Sequence, residues 1–485
     1  MRRASITVFF SLLFPILLAL ILYSIASAKV EAGSCDTAYA VDQSFFTLFG
    51  RYDQPLFQKY DVFYLDGSCG SGSLAVHEAG NYVGKCMDEL LANNNSVLMG
   101  TSLLHLKRTA TSVTGYMLMT DAQGASFETQ AIASMKDTPG TSALSALSSS
   151  SIIGTAVSLP TAFYNKANGL TSSDLPTPTP SPAPEEGTES TSTSSSQHVY
   201  NPIPLFEALK SGSVMPYVVD ESRVSTKVVP TTSLPSQRSL NHGFGTMQVS
   251  GTASSTSRRV LYSQYLLTHF TNFRKPGDAA PLSYEVEYML GGSGTDRTNL
   301  EYVVKKLMKL RQPVNFAFLM SDSAARSKLQ EAATLIASAI SIPEAWYAVE
   351  LILMAGWSYV ESIIDVRDLL DGKTCPLVKT EATWQVSFEE VADALAHPGQ
   401  YEKDAATGMG YLDYLKTFLY KESEGVTMRA LDMVELEMQA QGRSWFRVDC
   451  LLDSLDLHVE TLAEEAIPIA YEAHYDYRSL SASSS

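Results

Sequence analysis

Cysteine is scarce in this sequence, and its spacing argues against two classes of small domain. The 485 residues contain five cysteines, which are Cys35, Cys69, Cys86, Cys375 and Cys450. This number is too small for a disulfide-built scaffold, and no Cys-x-x-Cys pair is present to hold structural zinc. We therefore expect free, buried thiols. Bridges between Cys69 and Cys86, or between Cys375 and Cys450, are the alternative in an oxidising compartment.

Positive charge is also in short supply. The chain has 35 Lys and Arg against 52 Asp and Glu, which gives a formal net charge of -17. This balance argues against a nucleic-acid partner and against broad docking onto anionic lipid, because both need a basic face. Hydrophobic residues make up 45% and charged residues 18%, so sizeable buried cores and two or three folded units are expected.

Known catalytic motifs are missing as well. The sequence has no His-Glu-x-x-His, no phosphate loop ending in Gly-Lys-Ser/Thr and no Gly-x-Ser-x-Gly elbow. Gly291, Gly292 and Gly294 superficially suit a phosphate, yet no lysine follows them and Asp296 would repel an anion. They are interpreted as a strand-to-helix turn with Asp296 as the cap. No catalytic, cofactor-binding or metal-binding residue is predicted, and we do not expect an enzyme.

Two groups of residues leave an alternative open. His458, Glu460, His474 and Asp476 lie on two predicted strands, where residues two apart share a face. A polar, exposed sheet face is the favoured interpretation, and a metal site is the alternative. The four tryptophans, Trp346, Trp357, Trp384 and Trp445, are interpreted as core aromatics rather than as a sugar-binding platform.

The sequence does contain one long apolar run, at its N-terminus. The run from Ile6 to Ile25 carries no charge and matches the ~20 residues that a helix needs to cross the hydrocarbon core. Arg2 and Arg3 precede the run, so the positive-inside bias predicts a cytoplasmic N-terminus and an extracytoplasmic body. The rival is a cleaved signal peptide, because residues 26–28 read Ala-Ser-Ala, a small-x-small cleavage site.

A helical stripe continues beyond the apolar run and favours an anchor over cleavage. Its members recur at steps of three and four, and they are Ala28, Ala32, Cys35, Ala38, Val41, Phe45 and Leu48. Gly50 then offers a stop. The membrane helix is therefore expected to continue to about Phe49, as a rod of about 65–70 Å at about 1.5 Å per residue.

The predicted fold class is α+β, with a long membrane-spanning helix that continues into an exported head of mixed helices and sheet. Residues 1–50 are the anchor, 51–165 the first part of the body, 166–199 a linker and 200–485 the main, helix-rich domain. Residues 171–196 are rich in Ser, Thr and Pro and have little to bury, so they are interpreted as a flexible linker or, alternatively, a glycosylated stalk.

Periodicity predicts the elements of the head. Strands are expected at 113–120, 284–290, 446–461 and 467–477, and helices at 127–135, 261–270, 298–311, 314–320, 325–370 and 410–441. The helix at 325–370 should break at Pro343. Its apolar half, 345–360, is interpreted as a buried core helix rather than a second membrane span, because charges such as Glu344 and Glu350 are costly near a bilayer centre.

Several segments resemble an uncharacterised family of Gram-positive envelope proteins. They are residues 4–12, 28–32 and 60–66, Asn201-Pro202-Ile203-Pro204-Leu205, residues 283–292 with Asn299-Leu300, and residues 355–367. The resemblance spans nearly the whole chain and is weakest over residues 67–198. The family has no defined activity, so the resemblance assigns no catalytic residue.

The resemblance implies a protein similar to minor pilin-like partners of the tight-adherence (Flp/Tad) pilus machinery. The sequence departs from true prepilins because it lacks the Glu that follows their processing site, and residues 6–10 are apolar or hydroxyl-bearing. The expected function is a non-catalytic, membrane-anchored, extracytoplasmic component of a pilus or secretion assembly, with protein partners there. A surface adhesin or binding module and an extracellular hydrolase are the alternatives.

Overall fold

The structure is a computed structural model that describes residues 2–94, 104–136, 161–176, 201–245, 256–401, 408–422, 425–463 and 466–477. The predicted α+β class is confirmed, including the long apolar helix at the N-terminus. The chain divides into two compact units. The sheet-bearing unit comprises Met1–Thr141, Thr232–Tyr265 and Thr427–Ser485, and the helical unit comprises Ser142–Thr231 and Leu266–Val426.

The elements follow one another along the chain in this order: α1 Arg2–Phe49, α2 Gln54–Tyr60, β1 Leu65–Asp66, α3 Val76–Asn94, β2 Lys107–Leu118, α4 Asp121–Lys136, α5 Thr161–Gly169, α6 Ile203–Ser211, α7 Met215–Val218, α8 Thr256–His269, α9 Glu285–Gly291, α10 Asp296–Ser321, α11 Ser323–Ala339, α12 Trp346–Leu370, α13 Val391–Ala396, α14 Tyr411–Lys421, α15 Val426–Ala440, β3 Leu451–Ala463 and β4 Ile467–Asp476. The predicted helix at 127–135 falls within α4, and the expected strand pair at the C-terminus is β3 with β4. Most of the predicted linker, residues 177–199, lies outside the described residues.

Strand β3 organises an antiparallel sheet. It pairs with β2 from Leu462 to Leu452 and with β4 from Ala463 to Ser454, while the short β1 pairs at its beginning. Because β2 comes from the first part of the chain, the sheet joins sequence segments more than 300 residues apart. The sheet-bearing unit is therefore assembled from both ends of the chain, and it does not follow the linear division at 51–165 and 200–485.

One face of this sheet forms the core of the sheet-bearing unit. Leu455, Leu457 and Val459 of β3 alternate with more polar residues, as expected for a strand with one buried face. They share a hydrophobic cluster with α1 and α3, to which Val83 and Met87 contribute from α3. This packing leaves the other face of β3 and β4 for polar side chains.

The helical unit is built around α12, which confirms the prediction of a buried core helix. Most of its residues from Val349 to Leu370 are buried, including Glu350. Helix α10 and helix α11 pack against it. The predicted break at Pro343 is confirmed by the turn between α11 and α12. Predicted helices 298–311 and 314–320 are one helix, α10, which continues through Pro313.

A buried group of four charges lies inside the helical unit. The Nζ of Lys379 lies 2.6 Å from the Oε1 of Glu361 and 2.7 Å from the Oδ1 of Asp365. The Nη2 of Arg311 lies 2.9 Å from the Oδ2 of Asp365. All four side chains are at most 1% exposed. The two cations and the two carboxylates therefore compensate one another's charge at a position that water does not reach.

The strand predicted at 284–290 is wrong, because this segment is helix α9. Its alternation of large apolar and acidic residues suggested a half-buried strand, yet every residue from Glu285 to Leu290 is buried. The carboxylates are accommodated by backbone donors: Glu285 accepts from the N–H of Thr271 at 2.8 Å, and Glu287 accepts from that of Phe273 at 2.9 Å. Gly292, at φ 69°, ends the helix. Tertiary hydrogen bonds thus override the local pattern.

Burial of Glu287 makes the stability of the helical unit depend on pH. Burial raises the pKa of Glu287 to about 7. Hydrogen bonds from the Tyr411 hydroxyl and the Phe273 N–H oppose this increase. A carboxyl whose pKa is raised on folding binds its proton more tightly in the folded state, so stability falls as pH rises from about 4.5 to about 7.

Between pH 5 and pH 8, we expect the free energy of unfolding of Glu287→Gln to change by about 2–3 kcal/mol less than that of the wild type, because the amide is neutral throughout. Urea unfolding of the full chain in detergent at pH 5 and pH 8, followed by tryptophan fluorescence, measures it. The control is Glu389→Gln, whose side chain is 63% exposed in the folded protein. If both variants retain the pH dependence of the wild type, Glu287 does not titrate in this range.

Two other expectations also need correction. The helix predicted at 410–441 is two helices, α14 and α15, because Gly425 at φ 72° interrupts the helical backbone before α15. Only Trp357 among the tryptophans is a fully buried core residue, at 4% exposed, whereas Trp346 is 40% exposed. Trp384 and Trp445 are intermediate. The indoles of Trp357 and Trp384 both donate to the carbonyl of Val386.

Candidate functional site: the anchor helix and the sheet that carries it

Helix α1 is continuous over 48 residues and contains Pro15. It ends at Phe49, and Gly50 follows in a turn, as the sequence predicts. At about 1.5 Å per residue, the helix is about 70 Å long. It is also the one helix in the described part of the chain that is long and apolar enough to cross a membrane. The two halves of α1 have different surroundings.

From residue 9 to residue 25, the side chains of α1 contact little of the described protein. Large apolar side chains between residues 9 and 25 are exposed, and they are Phe9, Phe10, Leu12, Phe14, Ile16, Leu17, Leu18, Leu20, Ile21, Leu22, Tyr23 and Ile25. Soluble proteins seldom expose a contiguous apolar surface of this size. A helix that is apolar all round and unburied has the character of a single membrane span.

The C-terminal half of α1 packs on the sheet-bearing unit through one face. The residues buried there are Gly33, Thr37, Ala40, Val41, Ser44, Phe45, Leu48 and Phe49. The predicted stripe is correct for Val41, Phe45 and Leu48. It is wrong for Ala28, Ala32 and Cys35, which are exposed, and Ala38 is only partly buried. In its first two turns, the face of α1 that contacts the sheet is therefore rotated relative to the predicted stripe.

Small side chains explain the rotation, because they allow the helix to approach the sheet closely. A Cβ added at Gly33 would lie 2.7 Å from the Cδ1 of Ile469, a distance that real Cβ atoms do not adopt. One turn on, the hydroxyls of Thr37 and Thr461 share a buried hydrogen bond of 2.9 Å. Glycine inside a helical pattern is the sequence signal that could have identified this contact.

Aromatic side chains fix the end of α1 against β4. Phe45 stacks on Tyr475 with ring centroids 6.0 Å apart, and Phe49 lies 4.5 Å from Tyr475 and 4.8 Å from Tyr477. The hydroxyl of Tyr477 donates to the carbonyl of Phe49 at 2.7 Å, which satisfies one of the last carbonyls of the helix. Burial raises the pKa of Tyr477 far above its usual range. The apolar half of α1 is thus part of the same helix that packs on the sheet.

The polar face of β3 and β4 carries the histidines that the sequence singled out. The Nδ1 of His458 lies 2.7 Å from a carboxylate oxygen of Glu472, and the Nδ1 of His474 lies 2.5 Å from one of Asp456. Hydrogen bonds to Glu472 and Glu460 raise the pKa of His458. No group of three or more possible ligands in the described residues could hold a metal ion. The arrangement is that of an exposed, polar sheet face.

The glycines at 291–294 connect two helices rather than a strand and a helix. The cap of α10 is Thr295, whose hydroxyl accepts from the N–H of Thr298, and not Asp296 as predicted. Asp296 is buried, and it accepts from the N–H groups of Ser283 at 2.9 Å and Tyr284 at 3.1 Å. Both bonds use the Asp296 carboxylate to connect α10 to the segment before α9. The turn is structural.

All five cysteines lie in the described residues and are free thiols, as expected. The expectation that they are buried is correct only for Cys375 and Cys450, because Cys35 and Cys69 are exposed and Cys86 is intermediate. A groove of about 440 Å³ in the helical unit is lined by Tyr217, Asp220, Arg367 and His397, among others. Asp220 and Asp371 lie 4.0 and 3.9 Å from the guanidinium of Arg367, so its charge is offset. The residues that line the groove include no serine or cysteine to act as a nucleophile.

Comparison with known proteins gives one match. The model of a family described as a family of unknown function, DUF5702, matches residues 192–463, which is more than half of the chain. No curated protein and no solved structure matches. The matched region contains β3, the central strand of the sheet, and nearly all the described helical unit.

Proposed function

We propose that this chain, which belongs to the DUF5702 family of unknown function, is a non-catalytic, membrane-anchored component of an extracytoplasmic assembly. The observation that carries the proposal is the continuity of α1. Its apolar half has the length of a membrane span, and its other half packs on the sheet. Any force on the folded unit would pass directly to the membrane through this helix. Such a connection suits an assembly component better than a freely diffusing enzyme.

Arg2 and Arg3 support an orientation with the N-terminus in the cytoplasm and the folded units outside. The net charge of -17 is consistent with a body that is held at the membrane by the helix and not by anionic lipid. We propose, from the resemblance of residues 283–292 and 355–367 in particular, that the assembly is a pilus or secretion machine of the Flp/Tad type, in which this chain is a minor pilin-like component.

Deletion of the gene tests the proposal, and we expect surface pili to be lost or markedly shortened in electron micrographs. Re-expression of the full chain should restore them. Re-expression of a chain with Ile16→Arg and Leu20→Arg in the apolar half should not, because the helix could no longer span the bilayer. Pili unchanged in number and length without this protein would refute the assembly role.

The same strains separate the alternatives. An adhesin or binding module predicts that pili are unchanged while attachment of cells to a surface is lost. The extracellular hydrolase predicts turnover of an envelope polymer by the purified full chain in detergent. The Ser/Thr/Pro-rich residues 171–196 favour display of a binding module, which keeps the adhesin as the second candidate.

A further inference from the structure

A lysine amine and an aspartate carboxyl lie in contact inside the helical unit, out of reach of water. The Nζ of Lys379 lies 2.7 Å from the Oδ1 of Asp365, and both side chains are 0% exposed. A carboxyl C–O bond is about 1.2 Å long, so Nζ lies within about 4 Å of the carboxyl carbon, Cγ. A nucleophile held in place reacts from about 3–3.5 Å. The contact therefore places an amine beside a carbon that an amine can attack.

The two carboxylate oxygens of Asp365 have different surroundings. Oδ2 accepts hydrogen bonds from the Nε of Arg311 at 3.0 Å and from the Nδ2 of Asn315 at 2.9 Å. Oδ1 is buried and accepts no hydrogen bond from the described part of the chain, because Nζ approaches it outside hydrogen-bond geometry. A buried oxygen without a hydrogen bond is costly. Charge balance alone does not explain why this oxygen is left unsatisfied next to an amine.

Glu361 is the third group in contact with the amine. Its Oε1 accepts from Nζ at 2.6 Å, and its side chain is 0% exposed. The backbone N–H groups of Gln385 and Val386 donate to its two oxygens at 3.0 Å and fix its orientation. Burial raises the pKa of Glu361, which helps its carboxyl to hold a proton in transit. A carboxyl one turn before Asp365 on α12 is thus positioned to carry a proton away from Nζ.

We propose that Lys379 and Asp365 condense to an isopeptide bond, an amide between Nζ and Cγ, with the loss of one water molecule. The ion pair is the starting state. The amine lone pair forms the Nζ–Cγ bond, and negative charge gathers on Oδ2, to which Arg311 and Asn315 donate. Two of the three ammonium protons move to Oδ1, one directly and one through Glu361. The Cγ–Oδ1 bond then breaks and Oδ1 leaves as water, so no other reactant is needed.

The amide fits the hydrogen bonds that surround it. Its carbonyl oxygen is the former Oδ2, which keeps its donors from Arg311 and Asn315. Its single N–H replaces the ammonium as the donor to Glu361. The ammonium also donates to the carbonyl of Thr383 at 3.1 Å, and this is the hydrogen bond that the reaction gives up. In return, the unsatisfied Oδ1 and two of the four buried charges are removed, all of which are costly away from water.

Burial of the reacting groups also favours the amide over the separate groups. Well-oriented groups in one molecule react with effective molarities of about 10⁵–10⁸ M, which offsets the tendency of amides to hydrolyse. A site that excludes water protects the product as well. The reacting groups all lie within the helical unit, so the inference does not rest on the proposed assembly role, and either can fail without the other.

The intact mass of the purified full chain, denatured after expression in a host that does not glycosylate proteins, tests the bond. We expect the wild type to weigh one water molecule less than its sequence. Asp365→Ala and Lys379→Met should have their full sequence masses, and the matched control Lys328→Met, at an exposed lysine, should keep the deficit. Stability is no substitute for the mass, because Lys379→Met removes the cation too. A wild-type chain at full sequence mass would overturn the proposal, whether or not the variants fold.

Peptide mapping locates the bond, because a succinimide formed at another aspartate would also cost one water molecule. Trypsin cleaves after Arg367 and Lys373, so Asp365 and Lys379 fall on different peptides unless they are joined. We expect one linked peptide, whose fragments place the bond at these two residues. Water loss within a single peptide, or a bond from Lys379 to Glu361, would contradict the assignment.

Glu361→Gln tests the proton transfer, because the amide keeps the shape of the side chain and cannot relay a proton. We expect the linked peptide to form at least about 100-fold more slowly after synthesis than in the wild type. Tryptophan fluorescence like that of the wild type shows that the variant is folded. Bond formation at the wild-type rate in Glu361→Gln would refute this role of Glu361.

Discussion

Replacing Lys379 by methionine is expected to lower the free energy of unfolding of the helical unit by about 3–5 kcal/mol. The side chain is 0% exposed, and its ammonium contacts the carboxylates of Glu361 and Asp365. Removal of the cation leaves two buried carboxylates with Arg311 as the remaining partner from this group. A buried charge without compensation is among the largest single costs in a folded protein.

The ionisation of Lys379 shows how strongly this group depends on its partners. Burial alone would lower the pKa of the ammonium, yet the Asp365 and Glu361 carboxylates raise it above its usual value. The same cation and Arg311 lower the pKa of Asp365 against the effect of its own burial. Burial raises the pKa of Glu361 in spite of the opposing effect of Lys379, so Asp365 is the carboxylate that the two cations hold ionised.

Chemical denaturation of the full chain in detergent, followed by tryptophan fluorescence, measures the loss. Trp346, Trp357 and Trp384 belong to the helical unit, so the signal comes mainly from there. The matched control is Lys328→Met, because Lys328 is 55% exposed and lies 3.6 Å from Glu389. Exposed pairs of this kind contribute about 0–1 kcal/mol.

A double variant separates the charge from the change of shape. Adding Glu361→Gln to Lys379→Met removes one of the two uncompensated carboxylates, so we expect it to recover part of the lost stability. A Lys379→Met protein as stable as Lys328→Met would show that the four charges contribute little. A double variant less stable than Lys379→Met would show that Glu361 contributes mainly through its bonds to the N–H groups of Gln385 and Val386.

Features with strong local signals could be predicted from the sequence. The apolar run and its continuation to Phe49 follow from length and periodicity, and β3 and β4 follow from alternation with one buried face. Helix α12 was predicted as buried because charged residues such as Glu350 are costly inside a membrane. In these cases one dominant physical effect decides the structure.

Features that depend on distant partners could not be predicted. Segment 284–290 alternates like a strand, yet backbone donors at Thr271 and Phe273 hold its carboxylates inside a helical core. Lys379 is 68 residues from Arg311 in sequence, and no local pattern brings them together. The docking face of α1 was misplaced in its first turns for the same reason, since Gly33 matters only once Ile469 lies opposite.

The second large effect is expected from substitutions in the apolar half of α1. Ile16→Arg with Leu20→Arg is expected to abolish stable membrane insertion, because each arginine near a helix centre costs about 2.5–3.5 kcal/mol. Both side chains are exposed on one face of α1, at 65% and 62%. The double alanine variant at the same positions keeps the segment apolar and should remain in the membrane after an alkaline wash. Equal retention of both variants would show that α1 does not hold the chain in the membrane.

The N-terminal sequence of the mature protein decides between anchor and cleaved signal peptide. Cleavage after Ala28 would leave residues 29–49 of α1, which include all the contacts described with the sheet from Gly33 to Phe49. The fold would therefore survive cleavage, and stability measurements cannot distinguish the two cases. We expect an intact N-terminus, because the anchor proposal needs the apolar half to stay attached. A mature chain that begins at Lys29 would leave a folded unit with no membrane helix, and anchoring would then be wrong.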